Sequence, residues 1–196
     1  VVKKVLDNGL RCKEIVEALL EFGQGSPEER AAVNVNALLE ALVAERFSSE
    51  TPQRLLLECC PDVVTVECVP EQMGNVFFNL IQNALRAARS TVRVETALED
   101  NRALVRILDD GPGVPPALQD RIFQPFFTTH GDKGHVGLGL TLSQAVIREC
   151  GGRLYLERST ERGACFTVQL PPCKECAAPE KKPPAPPPPK PAPKRV

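Results

Sequence analysis

Three polar side chains recur at helical spacing in an otherwise apolar stretch: Asn79, Asn83 and Arg86 stand at i, i+4 and i+7. That spacing puts them on one face of a helix. An amide oxygen is the hard kind of ligand that Mg²⁺ accepts beside waters and phosphates. A guanidinium presents a fork that matches phosphate oxygens. The same stripe would also serve as the solvent face of the helix, and these residues alone leave both readings open. Downstream lies Asp109-Asp-Gly-Pro-Gly113. A carboxylate there can accept a hydrogen bond from an exocyclic amine while the glycines keep backbone clear of a flat ring. Asp-Gly and Pro-Gly are equally turn signals. A second cluster, Gly134-His-Val-Gly-Leu-Gly-Leu140, leads into a helix, where backbone N–H groups favour anions. It is neither GxxxxGK[ST] nor GxGxxG. Between the clusters run Phe123-Gln-Pro-Phe-Phe-Thr-Thr129 and His130-Gly-Asp-Lys-Gly-His135. This is the layout of a ligand site with a lid, its phenylalanines read as the lid's anchor.

These residues need elements to hold them. Val1 to Phe22 carries a helical stripe of Leu6, Leu10, Val16, Leu19 and Leu20, and Gly23-Gln-Gly-Ser-Pro27 ends it. Ala31 to Val35 reads as a short strand, after which Asn36 caps a helix running to about Phe47. Arg54 to Glu58 and Val63 to Cys68 read as two strands separated by the Pro61-Asp62 turn. Pro70 opens a long helix that runs to about Arg89 and bears the Asn79 stripe. Val92 to Leu98 and Ala103 to Leu108 form a hairpin around Glu99-Asp-Asn101, and its second strand delivers Asp109. A helix from about Gly137 to Cys150 stops at Gly151-Gly152. Arg153 to Glu157 and Ala164 to Gln169 make a last hairpin around Thr160-Glu-Arg-Gly163. The order suggests one mixed sheet covered on one face by helices.

From Pro171 onward the chain is mostly Pro, Lys and Ala, and such a tail cannot bury enough apolar surface to fold. About 170 residues remain, which suits one α/β domain plus a short extra element. A net charge of −1 gives no argument for nucleic acid or a membrane surface. No apolar run is long enough to span a membrane. The eight cysteines have no disulfide spacing. Cys12, Cys68, Cys150 and Cys165 read as buried thiols, and Cys173-Lys-Glu-Cys176 is half of a zinc site at most. Free thiols fit a reducing cytoplasm.

Four segments taken in order resemble one family. Asn79-Leu-Ile-Gln-Asn83-Ala is similar to the N box of the sensor histidine kinases, and Asp109-Asp-Gly-Pro-Gly113 to their first glycine box. Phe123-Gln-Pro-Phe-Phe-Thr-Thr129 is similar to their F box, and Gly137-Leu-Gly-Leu140 to the second glycine box. The resemblance covers roughly Ala31 to Pro171. It extends to Glu14-Ile-Val-Glu-Ala-Leu-Leu-Glu-Phe22, which looks like the end of the second helix of a dimerisation hairpin.

This resemblance implies an α/β (α+β) two-layer sandwich of the Bergerat type. It implies a hairpin remnant over residues 1–23, a catalytic ATP-binding domain over 31–171 and a tail over 172–196. The cofactors it implies are ATP and Mg²⁺. Asn79, Asn83 and Arg86 would be catalytic: Asn83 would bind the metal, Asn79 would support the metal and phosphate end, and Arg86 would take a phosphate. Asp109 would hold the adenine amine, and Gly111 and Gly113 would make room for the purine. The lid would run from Val114 to Val136, with Lys133 and His135 toward phosphate, and Gly137 and Gly139 would line the phosphates. Val114, Phe126, Gly134, Val136, Leu138 and Leu140 complete the nucleotide-contact set that the resemblance implies. The implied partners are a helix bearing the phosphoacceptor histidine, a response regulator and, in the full-length protein, a second copy of the chain.

Two features depart from the family pattern. Nothing matches the phosphoacceptor histidine, because the only histidines, His130 and His135, lie in the lid. Related ATPases carry a glutamate where Asn79 stands, and an asparagine cannot take a proton as general base. Two other functions share the fold. A nucleotide-binding regulatory module would show decay of the four motifs, which are intact. A serine kinase of the anti-sigma-factor type would lack the hairpin-like helix.

Overall fold

The computed structural model describes residues 30–48, 54–61, 65–129 and 136–173, together with Gly9 and Val16. The last two are helical and exposed. The rest of the expected first helix, residues 130–135 of the lid and the tail beyond Cys173 lie outside the described residues.

The element that organises the rest is α2, Pro70–Ala87. Its buried residues, Met73, Val76, Phe77, Leu80, Ile81, Ala84 and Leu85, recur every three or four positions. They make an apolar stripe along one side. Pro70 opens the helix where an N–H would have no partner anyway, and Glu71 in its first turn meets the positive end of the helix dipole. Helix α1, Val35–Arg46, sets Leu39 and Leu42 into the same core.

The main sheet has the order β2-β4-β5-β7-β6. Its strands are β2 Leu55–Glu58, β4 Val92–Glu99, β5 Arg102–Asp109, β6 Arg153–Thr160 and β7 Gly163–Leu170. β2 runs parallel to β4 and the other pairs are antiparallel. Val94, Val105, Ile107, Leu154 and Val168 join the core with α2. Alternate residues carry a polar ladder, in which Arg106 bridges Glu99 at 2.8 Å and Glu157 at 3.1 Å. One sheet face is therefore apolar and packed by helices, and the other is charged, which is the expected two-layer sandwich. The β4–β5 hairpin closes on Asp100 and Asn101, both at positive φ, as a tight two-residue turn requires.

Several local details differ from the sequence expectation. β1, Ala31–Asn34, and β3, Thr65–Cys68, pair with each other as a separate two-stranded ribbon. The cap of α1 is Asn34, whose side chain accepts from the N–H groups of Asn36 at 2.9 Å and Ala37 at 3.2 Å. Asn36 sits inside the helix and acts as a tie. Its Nδ2 donates to the Cys60 carbonyl at 2.8 Å, and its Oδ1 accepts from Thr96 Oγ1 at 2.9 Å. The chain also stays packed past Pro171, since the Cys173 N–H donates to the Thr65 carbonyl at 2.8 Å. Cys68, Cys165 and Cys173 are buried, Cys150 is half-buried, and burial pushes the Cys68 thiol up to about 12. Cys12 and Cys176 lie outside the described residues. No helix among the described residues is long and apolar enough to cross a membrane.

Candidate functional site

The end of β5 and the turn after α2 are fastened to each other by two adjacent aspartates with opposite duties. Asp110 faces the turn. Its carboxylate accepts from the Arg89 N–H at 2.8 Å, the Ser90 N–H at 3.0 Å and the Ser90 hydroxyl at 2.5 Å. The Ser90 hydroxyl and the surrounding N–H groups hold its pKa well below the usual carboxylate range. Asp109 faces the other way. One oxygen, Oδ1, accepts from the Gly111 N–H at 2.9 Å and the Ala164 N–H at 3.4 Å. Oδ2 takes no hydrogen bond among the described residues, so the side chain is fixed yet keeps an acceptor to offer. Burial raises its pKa.

The glycines here are set by close approach. A Cβ on Gly111 would strike the Ala87 carbonyl at the end of α2. Gly113 has φ +71, and a Cβ there would strike the Thr160 carbonyl. Val114 is locked beside it, its N–H donating to Ser159 Oγ at 2.6 Å. Gly163, at φ +130, lies against the backbone of Asp109 itself. The β6–β7 turn thus props the carboxylate-bearing strand end, a role nothing in the sequence announced.

After Val114 the chain makes a short helix, α3, Pro116–Gln119. The three phenylalanines that follow divide the anchoring. Phe123 packs on the core and meets Phe166 edge-on, with ring centroids 6.4 Å apart. Phe127 lies under the Arg121 guanidinium, 4.8 Å from its ring centroid. Phe126 is 62% exposed at φ +64, a conformation that costs a side-chain-bearing residue energy. Thr141 Oγ1 donates to the Phe123 carbonyl at 3.1 Å and ties this segment to the next helix.

That helix, α4, Gly139–Glu149, starts two residues later than its sequence pattern implied, because Gly137 takes φ +74 and turns the chain. Val136 and Leu138 are buried and Leu140 packs against the core, so their side chains face inward. A Cβ on Gly139 would strike the side chain of Asn79. The second glycine cluster therefore lies directly on Asn79 of α2. Asn83 Nδ2 reaches back to Asn79 Oδ1 at 3.5 Å, and Asn79 Nδ2 donates to Ser143 Oγ at 3.1 Å. Ser143 is fully buried and escaped the sequence reading; its only signal was its place one turn after Gly139. Arg86 stands further along α2 and is exposed there, with Arg46, Phe47, Phe78 and Gln82 around a neighbouring cavity of about 380 Å³. Lys133, Gly134 and His135 lie outside the described residues.

Helix α2 thus carries an asparagine pair against the start of α4 at its middle and meets the Asp109 turn, through Gly111, at its end. Residues 68–174 match the family described as Histidine kinase-, DNA gyrase B-, and HSP90-like ATPase. The chain belongs to this ATPase family. Within it, the chain resembles the sensor kinases. It is 31% identical over 176 residues to the signal transduction histidine-protein kinase AtoS of Escherichia coli strain K12, a match that spans 87% of this chain and 28% of AtoS. It is 30% identical over 181 residues to the sensor protein FixL of Bradyrhizobium diazoefficiens, spanning 88% of this chain and 35% of FixL. The chain thus corresponds to well under two thirds of either relative. Among solved structures, the catalytic domain of histidine kinase ThkA superposes with a TM-score of 0.65 at 26% identity, covering 74% of this chain and 96% of that one. In this ATPase family the sandwich found here is the ATP-binding catalytic domain of the sensor histidine kinases. The donor set fits a nucleotide: a fixed carboxylate with one oxygen open and a polar pair over the start of a helix.

Proposed function

We propose that this chain binds ATP with Mg²⁺ in the cleft between α2, the Asp109 turn and the start of α4. Its γ-phosphoryl then passes to a histidine carried outside this sequence. The observation that carries the reading is the contact of Gly139 with Asn79, to which the Asn83 amide reaches back, on the same helix whose end meets the Asp109 turn.

The proposed roles are as follows. Asp109 Oδ2 accepts the exocyclic amine of adenine, and Gly111 and Gly113 leave space for the ring. Asn83 offers an amide oxygen to Mg²⁺, and Arg86 reaches a phosphate. Phosphates enter over Gly137 and Gly139, where backbone N–H groups at the start of α4 favour negative charge. Bound there, Mg²⁺ would neutralise charge on the transferring group, so catalysis comes mainly from positioning. The histidine nitrogen attacks the γ-phosphorus, the bond to the bridging oxygen breaks, and ADP leaves. Asn79 cannot act as general base, so water is not activated in place of the histidine.

Residues 1–23 are then the end of a dimerisation hairpin, residues 31–171 the catalytic domain and residues 172–196 a tail. The acceptor helix, a response regulator and a second copy of the chain are the partners, in a cytoplasmic setting consistent with free thiols. The test is to add a separate polypeptide bearing the acceptor histidine, with labelled ATP. Label that transfers to it and is lost in acid supports the reading, because phosphohistidine is acid-labile. Acid-stable label, or none despite ATP binding, contradicts it.

A further inference from the structure

We infer that Ser143 is a positioning residue, which turns the Asn79 amide so that its oxygen, not its nitrogen, serves the ligand cleft. The inference rests on the ATP-site reading above and adds a residue to it.

Three observations converge. Ser143 is 0% exposed and is the one buried polar residue of α4. Asn79 Nδ2 donates to its Oγ at 3.1 Å. Asn79 Oδ1 faces Gly139 and the Asn83 amide, which lies 3.5 Å away.

The chemistry makes the orientation matter. A free asparagine can present either a donor or an acceptor to a ligand. With its nitrogen committed to Ser143, Asn79 offers only an acceptor. An acceptor suits the waters around Mg²⁺ and the Asn83 NH₂ group, whereas a donor would suit a phosphate oxygen. The Ser143 hydroxyl oxygen has lone pairs to accept the Asn79 N–H. Gly139 completes the clamp by laying backbone across the amide, so the side chain cannot swing away. Asn79 thus holds Asn83 in place and, with Mg²⁺ bound, would offer an acceptor to the metal's waters.

The test compares affinity for a non-hydrolysable ATP analogue, with Mg²⁺ and with chelator, by calorimetry. Thermal unfolding of each ligand-free variant serves as control. Ser143→Ala is expected to lose affinity about three- to tenfold in Mg²⁺ and less than twofold in chelator. Ser143→Thr, which keeps the hydroxyl, is expected to restore most of the Mg²⁺ increment. Equal losses in both conditions, or none in either, would overturn the inference.

Ser143→Cys gives a second readout if Ser143→Ala proves unstable. A thiol of similar size is a weak acceptor, so the Mg²⁺ increment is expected to fall toward the alanine value. A full wild-type increment in that variant would also overturn the inference. If the wild-type protein shows no Mg²⁺-dependent nucleotide binding, the ATP-site reading itself fails. If wild type binds and these variants behave otherwise than stated, only the role of Ser143 fails.

Discussion

Asp109 and Asp110 are neighbours with pKa values displaced in opposite directions, and the division explains both. Burial raises Asp109, so its charge does not help the fold, which accords with the ligand role proposed for it. Asp110 is lowered by the Ser90 hydroxyl and by N–H groups, so its ionised form favours the folded state. The sign of its pH dependence follows. A folded-state pKa below the ordinary 3.8 contributes stability above 3.8 and loses it as pH falls through the folded value. Asp110→Asn is expected to lower Tm at neutral pH by roughly 2–6 °C. The gap to wild type should shrink progressively below pH 3.8. Thermal scans of both proteins from pH 7 to pH 3 check this, and a gap that stays constant would contradict the role given to the Asp110 charge. The sequence showed an Asp-Asp pair at a strand end. The family resemblance singled out Asp109 of the pair, but the partners that hold each aspartate, Ser90 for Asp110 and Ala164 for Asp109, are distant in the chain and could not be read.

At the scale of elements, α2 was legible from periodicity and its proline start, and the two hairpins from their turn residues. The cap of α1 was misplaced by two residues because Asn34 and Asn36 are chemically alike. Only the pairing of Asn34 with Thr65 in the β1–β3 ribbon fixes where the helix begins. That ribbon was illegible for a related reason: short apolar strands do not state their partners. The glycines were seen, but their reasons were not. Gly113 is needed because Ser159 and Thr160 at the end of β6 crowd it, whereas Gly74, inside α2, has nothing within 4 Å of where a Cβ would stand. The two should therefore respond oppositely to alanine. Gly74→Ala is expected to stabilise by about 0.5–1 kcal/mol, as helix propensity dictates. Gly113→Ala should lower Tm and weaken nucleotide binding severalfold, since φ +71 and the Thr160 carbonyl both oppose a side chain. Denaturant melts and nucleotide titrations of the pair check this, and a neutral Gly113→Ala would contradict the crowding argument.

Over the whole molecule, a charged outer sheet face leaves the other face to pack α1, α2 and α4, and the cleft proposed for the nucleotide lies along α2, between the end of β5 and the start of α4. The four motifs were legible in order along the chain, and their order matched a family whose fold this chain has. What the sequence could not supply was the contact that joins them, Gly139 on Asn79, because the two motifs are separated by the whole β4–β5 hairpin and the lid. If that cleft is the nucleotide site, Asp109 is its most discriminating residue, since its carboxylate alone reads the base. The direct measurement is calorimetric titration of wild type and Asp109→Asn with a non-hydrolysable ATP analogue and Mg²⁺. The account predicts saturable one-site binding by wild type and at least a tenfold loss in the variant, with its thermal unfolding unchanged or slightly higher. Equal affinity in the two proteins, or no binding by wild type, would contradict it.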